Sequence, residues 1–148
     1  MFVPSYDSIL KAIGTSRAAL SSTKTVTIPV DLFKFLLQTT MVSSEFNEEG
    51  YLAANPDVAD AVQKGAVESP RLHYIGYGYF EGRTGAMPKV DEKWYLAQYP
   101  DVAAAVRTGR VASSSEHFEI IGASEGRSPN SHHDAVAAQW KKALLGSG

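Results

Sequence analysis

Residues 51–83 read YLAANPDVADAVQKGAVESPRLHYIGYGYFEGR, and residues 95–127 read YLAQYPDVAAAVRTGRVASSSEHFEIIGASEGR. The two segments align without a gap at an offset of 44 residues and are identical at 17 of 33 positions. A gapless repetition of this length is typical of one supersecondary unit that the chain uses twice. The pattern therefore predicts a tandem repeat, and neither copy contains a catalytic signature.

Each copy predicts three short helices joined by tight connections. A polar residue with an acidic first turn behind it can start the first helix. A proline ends that helix and begins the second, because the residue before proline is pushed out of the helical region. A glycine then suits a left-handed C-cap, and a serine can cap the third helix. These positions are Asn47 and Asp91, Pro56 and Pro100, Gly65 and Gly109, and Ser69 and Ser113.

The predicted fold class is all-α, with two tandem three-helix repeats flanked by N- and C-terminal helices. We place an N-terminal helical segment with a linker at residues 1–45, the first repeat at 46–87 and the second at 88–130. A C-terminal helix and tail occupy residues 131–148, where residues 134–145 form an amphipathic helix. Its apolar stripe is Val136, Trp140 and Leu144.

Residues 29–42 of the N-terminal segment predict a helix that is apolar over more than one face. Phe35 and Val42 lie off its main stripe, and such a helix favours burial on several sides. Because the repeats offer mostly valine and alanine, a second copy of the chain is expected to cover part of it. We therefore expect a homo-oligomer, in its simplest form a two-fold dimer with Phe35 at the interface. The main stripe is Leu32, Phe33, Leu36, Leu37 and Met41.

Composition limits the classes of function. The 148 residues are 44% hydrophobic and 20% charged, with a net charge of −2, as in ordinary globular proteins. Lysine and arginine are scattered, which disfavours nucleic acid as a partner. The absence of cysteine removes disulfides and thiolate chemistry, and we expect a cytoplasmic protein. No apolar segment is long enough to span a membrane.

The frame YLxxxPDVA followed by H[YF]xxxGxxEGR resembles short repeats found in many bacterial proteins. Those repeats often accompany glycosyltransferases and polysaccharide-synthesis proteins, and sometimes large surface proteins. The resemblance covers about residues 46–130 and implies an accessory helical module, with a glycosyltransferase or an envelope protein as partner. It transfers no catalytic residue. An inserted AVxxGxVxS segment makes both copies a longer variant.

His73 and His117 stand at the same place in the two copies, which favours a structural role over catalysis or metal binding. We expect the two repeats to superpose, with both histidines largely buried. Paired-carboxylate catalysis by Asp57, Asp60 and Glu81 is the sharper alternative for the acidic residues, but the sequence indicates no cleft around them. Asp57 and Asp101 instead recur at the same place in both copies. We favour structural ion pairs with Arg83 and Arg127, in which each arginine closes its repeat.

Tyr77, Tyr79 and Phe80 belong to the first repeat, and the latter two have no aromatic counterpart in the second. They are freer to form a protein interface or to stack on sugars. His132 and His133 have a metal-binding alternative, but a helix start explains them better, so no metal and no cofactor is predicted. The first function hypothesis is a non-enzymatic interaction or scaffolding module linked to polysaccharide synthesis or the cell envelope. A carbohydrate-binding module comes second, and a small hydrolase or transferase comes last.

Overall fold

The computed structural model of the protein describes residues 2–146, and no strand occurs in that range. Met1, Ser147 and Gly148, which the predicted terminal segments include, lie outside the described residues. The chain divides into two compact units between Ser44 and Glu45. The predicted all-α class is confirmed.

The first unit begins with two short helices. Gly14 separates them, because its φ of 76° lies in the left-handed region and ends the first helix. Ser5 and Ser16 cap the two helices by accepting backbone N–H groups. The third helix begins one residue later than predicted, with Pro29 at its N-cap. The helices are α1 (Tyr6–Ala12), α2 (Arg17–Ser21) and α3 (Val30–Val42).

The second unit contains two series of helices with matching lengths. Every element of the first series recurs 44 residues later in the second. The third helix of each series continues as a π-helical turn, at Tyr74–Gly78 and Phe118–Gly122. The helices are α4 (Glu48–Ala54), α5 (Pro56–Gln63), α6 (Pro70–His73), α7 (Glu92–Gln98), α8 (Pro100–Arg107), α9 (Ser114–His117) and α10 (Asp134–Leu145).

The predicted caps of the second unit are present. The side chain of Asn47 accepts the amide hydrogen of Gly50, and the side chain of Asp91 accepts that of Trp94. Ser69 and Ser113 cap α6 and α9 in the same way. Gly65 and Gly109 have φ values of 71° and 73°, so the left-handed caps after α5 and α8 are confirmed.

A buried tyrosine lies at the centre of each series. Tyr51 packs with Val58 and Ala86, and Tyr95 packs with Val102 and Phe118. The N–H of Asn47 donates to the carbonyl of Ala86 at 3.0 Å, which ties the start of α4 to the end of its series. In the second series the N–H of Asp91 donates to the carbonyl of Pro129 at 3.0 Å, so the start and end of each series are joined in the same way.

Helix α10 has the predicted bounds but packs differently from the expectation. Its apolar stripe of Val136, Trp140 and Leu144 is exposed, while Ala137 is buried. A β-carbon added to Gly126 would overlap the side chain of Lys141. Because residue 126 has no side chain, α10 can approach the turn around Gly126 closely. The contact there is made by the aliphatic part of Lys141 and not by the large apolar residues of α10.

Candidate functional site

A tyrosine and a histidine share a hydrogen bond in both series of the second unit. Tyr51 Oη lies 3.0 Å from His73 Nδ1, and Tyr95 Oη lies 3.0 Å from His117 Nδ1. Burial raises the pKa of Tyr95 to about 12, so its hydroxyl stays neutral at ordinary pH. In each pair, the hydrogen bond with the tyrosine therefore engages the Nδ1 atom of the histidine.

The two histidines differ in exposure. His117 is buried, at 8% exposed, as predicted, but His73 is only half-buried. The side chains at the neighbouring positions differ between the two copies. Arg110 and Ile121 line a groove at His117, whereas Ala66 and Tyr77 stand at the corresponding positions near His73.

A glycine in each π-helical turn makes room for the buried tyrosine. A β-carbon on Gly78 would overlap Tyr51 Oη, and one on Gly122 would overlap Tyr95 Oη. The π-helical geometry places these glycines beneath the hydroxyl groups. This explains why the repeated frame has a glycine five residues after each histidine.

Each predicted aspartate–arginine ion pair is present and includes a second carboxylate. Arg83 lies 2.8 Å from Asp57 and 2.7 Å from Glu81. Arg127 bridges Asp101 and Glu125 in the same way, at 2.7 Å to each. Hydrogen bonds from the arginines hold the pKa values of both aspartates below their usual range. The arginine therefore joins the start of the second helix to the turn that ends the series.

The residues before Pro56 and Pro100 make a further link that the sequence did not predict. Asn55 is buried, and its Nδ2 donates to the carbonyls of Tyr51 and Thr84 at 2.8 and 2.9 Å. In the second series Tyr99 replaces it, and its Oη accepts the N–H of Ser128 at 2.8 Å. The sequence does offer one signal for this link, which is the shared position of the two residues. Asn55 and Tyr99 each directly precede the proline that separates the first helix of a series from the second.

The predicted aromatic group separates into two parts. The Tyr77 ring lies 5.9 Å from the His73 ring, and Tyr77 is 65% exposed. Tyr79 instead packs edge-on against Tyr74 and Phe80, with ring centroids 5.8 and 5.2 Å away. Tyr77 is the most exposed ring of the three.

An open groove lies between α8 and α9, and we call it the α8–α9 groove. Its volume is about 370 Å³. His117, Arg110 and Asp101 line it, and Ile120 extends its edge. No sequence pattern predicted this groove, although Ile120 and Ile121 are large apolar residues that the repeated frame does not require. The apolar walls are Val102, Ala105, Val111 and Ile121.

The remaining predicted positions lie elsewhere. Phe35 is 58% exposed on α3, in the first unit. His133 Nε2 lies 2.9 Å from a Glu45 carboxylate oxygen, and its Nδ1 lies 2.8 Å from Asn130 Oδ1. Within residues 2–146, histidine, aspartate and glutamate form no group of three that could hold a metal ion.

Comparisons with known proteins name no relative. No family model, no curated protein and no solved structure matches the chain. In the part of the chain that the structure describes, every helix is too short or too polar to cross a bilayer.

Proposed function

We propose that this chain is a non-enzymatic interaction or scaffolding module built from two tandem three-helix repeats. The observation that carries the proposal is that the polar residues of the repeated frame bond to one another in the same way in both copies. The tyrosine–histidine hydrogen bond measures 3.0 Å twice, and the arginine bridge joins the same two carboxylate positions twice. Because these side chains bond to other parts of the same fold in both copies, a structural role is favoured for them over a catalytic one.

We further propose that the module is a homo-oligomer that uses α3. Phe33, Phe35 and Val42 are each more than half exposed, and Leu36 is also exposed. Fully burying a large apolar side chain contributes roughly 1.5–3 kcal/mol. Covering several such side chains with the same surface of a second copy favours a closed two-fold dimer.

Light scattering on the purified full-length chain tests this proposal. We expect a dimer that Phe35→Asp converts into folded monomers, because a charge at the interface loses its water on association. Gln63→Glu adds a carboxylate at an exposed position of α5, outside α3, and serves as the control, which should remain dimeric. A wild-type chain that stays monomeric at high concentration would contradict the dimer, and so would equal dissociation by both variants.

The resemblance of residues 46–130 to repeats that accompany glycosyltransferases favours a partner in polysaccharide synthesis or the cell envelope. Purification of the tagged chain from its native cell, followed by the reciprocal purification from the tagged partner, tests this assignment. Recovery of the same pair in both directions, with one component a glycosyltransferase or an envelope protein, supports it. Reproducible pairs drawn only from other processes would overturn the link.

Carbohydrate binding is the second candidate, and the exposure of Tyr77 favours it. An aromatic ring that is 65% exposed can offer a face for stacking on a sugar. Titration with oligosaccharides, read by NMR chemical shifts, separates the two candidates. Binding that Tyr77→Ala abolishes while the oligomer persists would favour the carbohydrate-binding module.

A further inference from the structure

The α8–α9 groove is one of two equivalent positions in the repeats, and the two differ in one informative way. Residue 77 in the first repeat corresponds to residue 121 in the second. The first repeat has tyrosine there, with its ring 5.9 Å from that of His73. The second has isoleucine, and the groove beside His117 is open. The chain therefore contains, in its first repeat, an example of an aromatic ring placed against the histidine.

We propose that the α8–α9 groove binds a peptide segment of a partner protein that carries a tyrosine or phenylalanine beside acidic residues. This proposal rests on the proposed function as an interaction module and specifies one of its surfaces. The aromatic ring of the partner lies against His117, as Tyr77 lies against His73. The acidic residues lie beside Arg110.

The apolar part of the argument comes from exposure and size. Ile120 is 65% exposed and Ile121 is 43% exposed, so both leave apolar area in water at the groove. A volume of about 370 Å³ is at the small end of the range for ligand pockets, about 300–1,000 Å³. It suits one large side chain entering from outside. An aromatic anchor in a pocket is the usual centre of binding energy in a protein interface.

The acidic part of the argument comes from charge. Arg110 donates to Thr108 Oγ1 and forms no ion pair among residues 2–146. Asp101 also lines the groove, but its carboxylate bonds to Arg127, and the Glu116 carboxylate accepts the N–H of Ala112. The first repeat has Ala66 in place of Arg110, so this charge belongs to the second repeat alone. A carboxylate beside the aromatic anchor would complement it.

The test uses the full-length ¹⁵N-labelled protein and three synthetic peptides, followed by NMR chemical shifts. The probe is acetyl-Gly-Asp-Tyr-Asp-Gly-amide. One control peptide replaces tyrosine with alanine, and the other replaces both aspartates with lysine. We expect saturable shifts in residues 102–121 with the probe and at least tenfold weaker binding with either control. Shifts confined to other residues, or equal binding of all three peptides, would overturn the proposal.

The internal comparison supplies matched variants. Ile121→Tyr places in the second repeat the tyrosine that the first repeat has at position 77. We expect this variant to remain folded, to fill the α8–α9 groove with its own tyrosine ring and to bind the peptide at least tenfold more weakly. Arg110→Ala should weaken binding several-fold at low salt and less at high salt, because the ionic contact is screened. Retention of full affinity by a folded Ile121→Tyr variant would contradict the proposed anchor position.

The opposite substitutions, made in the first repeat, test whether the residues at these positions are sufficient to create a peptide-binding groove. Ala66→Arg, Gly76→Ile and Tyr77→Ile together give the first repeat the residues of the second. We expect a new set of peptide-induced shifts around His73 in this folded variant. If it gains none, the exchanged residues do not define the site.

The experiments distinguish failure of the groove proposal from failure of the proposed function. Partner capture that persists in the Ile121→Tyr variant would overturn the groove and leave the interaction module intact. Oligosaccharide-induced shifts in residues 102–121 with no response to the peptide would overturn the peptide assignment. A change in oligomeric state caused by Ile121→Tyr would assign the groove to a second copy and overturn the partner-protein assignment.

Discussion

Replacing Gly78 with alanine tests the contact at the centre of the first series of helices. The added β-carbon would overlap Tyr51 Oη and lie 3.1 Å from its Cζ. The Tyr51 ring is fully buried and has little room to move away. Overfilling a packed core costs about 1–3 kcal/mol, and losing the hydrogen bond to His73 adds about 1 kcal/mol. We therefore expect Gly78→Ala to lower the free energy of unfolding by about 2–4 kcal/mol.

Gly76 is a matched control within the same π-helical turn. A β-carbon at Gly76 meets no atom within 4 Å. Gly76→Ala should therefore be neutral or stabilise the protein by up to about 1 kcal/mol, because alanine loses less backbone entropy on folding. Urea unfolding followed by far-UV circular dichroism measures both variants, and unchanged slopes permit direct comparison.

A second substitution identifies the hydroxyl as the cause. Tyr51→Phe removes the atom that the new β-carbon would overlap. In that background we expect Gly78→Ala to cost at least about 1 kcal/mol less than in the wild type, which a double-mutant cycle measures. Equal stabilities for Gly78→Ala and Gly76→Ala would refute the packing argument. Strict additivity in the cycle would show that the hydroxyl is not the conflicting group.

Three further predictions use other contacts of the second unit. Gly65→Ala should destabilise by about 1 kcal/mol in urea unfolding through backbone strain alone, because its φ is 71° and no atom lies within 4 Å of the added carbon; an unchanged midpoint would contradict this. Ser113→Ala should cost about 1 kcal/mol in the same assay because it removes a helix cap, whereas Ser115→Ala, at an exposed position, should cost little. The folded-state pKa values of Asp57 and Asp101 are lowered, so their contribution is complete above the unfolded pKa of about 3.9 and is lost as pH falls through the folded-state values. The Asp57→Asn/Asp101→Asn variant should therefore lose less thermal stability than the wild type when the pH falls from 6 to 3, and parallel losses would refute the ion-pair assignment.

The helices and their ends follow from local sequence. Prolines, polar caps and glycines act within a few residues of their own position, so Ser69, Ser113, Gly65 and Gly109 predicted boundaries that the structure confirms. The repeated frame also identified Asp57 and Arg83 as partners across 26 residues. Repetition made such pairing visible, because both members recur at the same offset.

Apart from the aspartate–arginine pairs, contacts between distant segments were decided only by the tertiary structure. The role of Gly78 depends on Tyr51, which lies on another helix, and no local pattern shows that a hydroxyl fills the space beside it. The exposed stripe of α10 shows the same limit, because an apolar pattern indicates one face of a helix and not whether the rest of the chain covers it. The open α8–α9 groove likewise depends on how the side chains of Arg110 and Ile121 lie around the buried His117. The sequence alone therefore determined where most of the helices begin and end, whereas three-dimensional packing decided which of their faces and rings remain exposed.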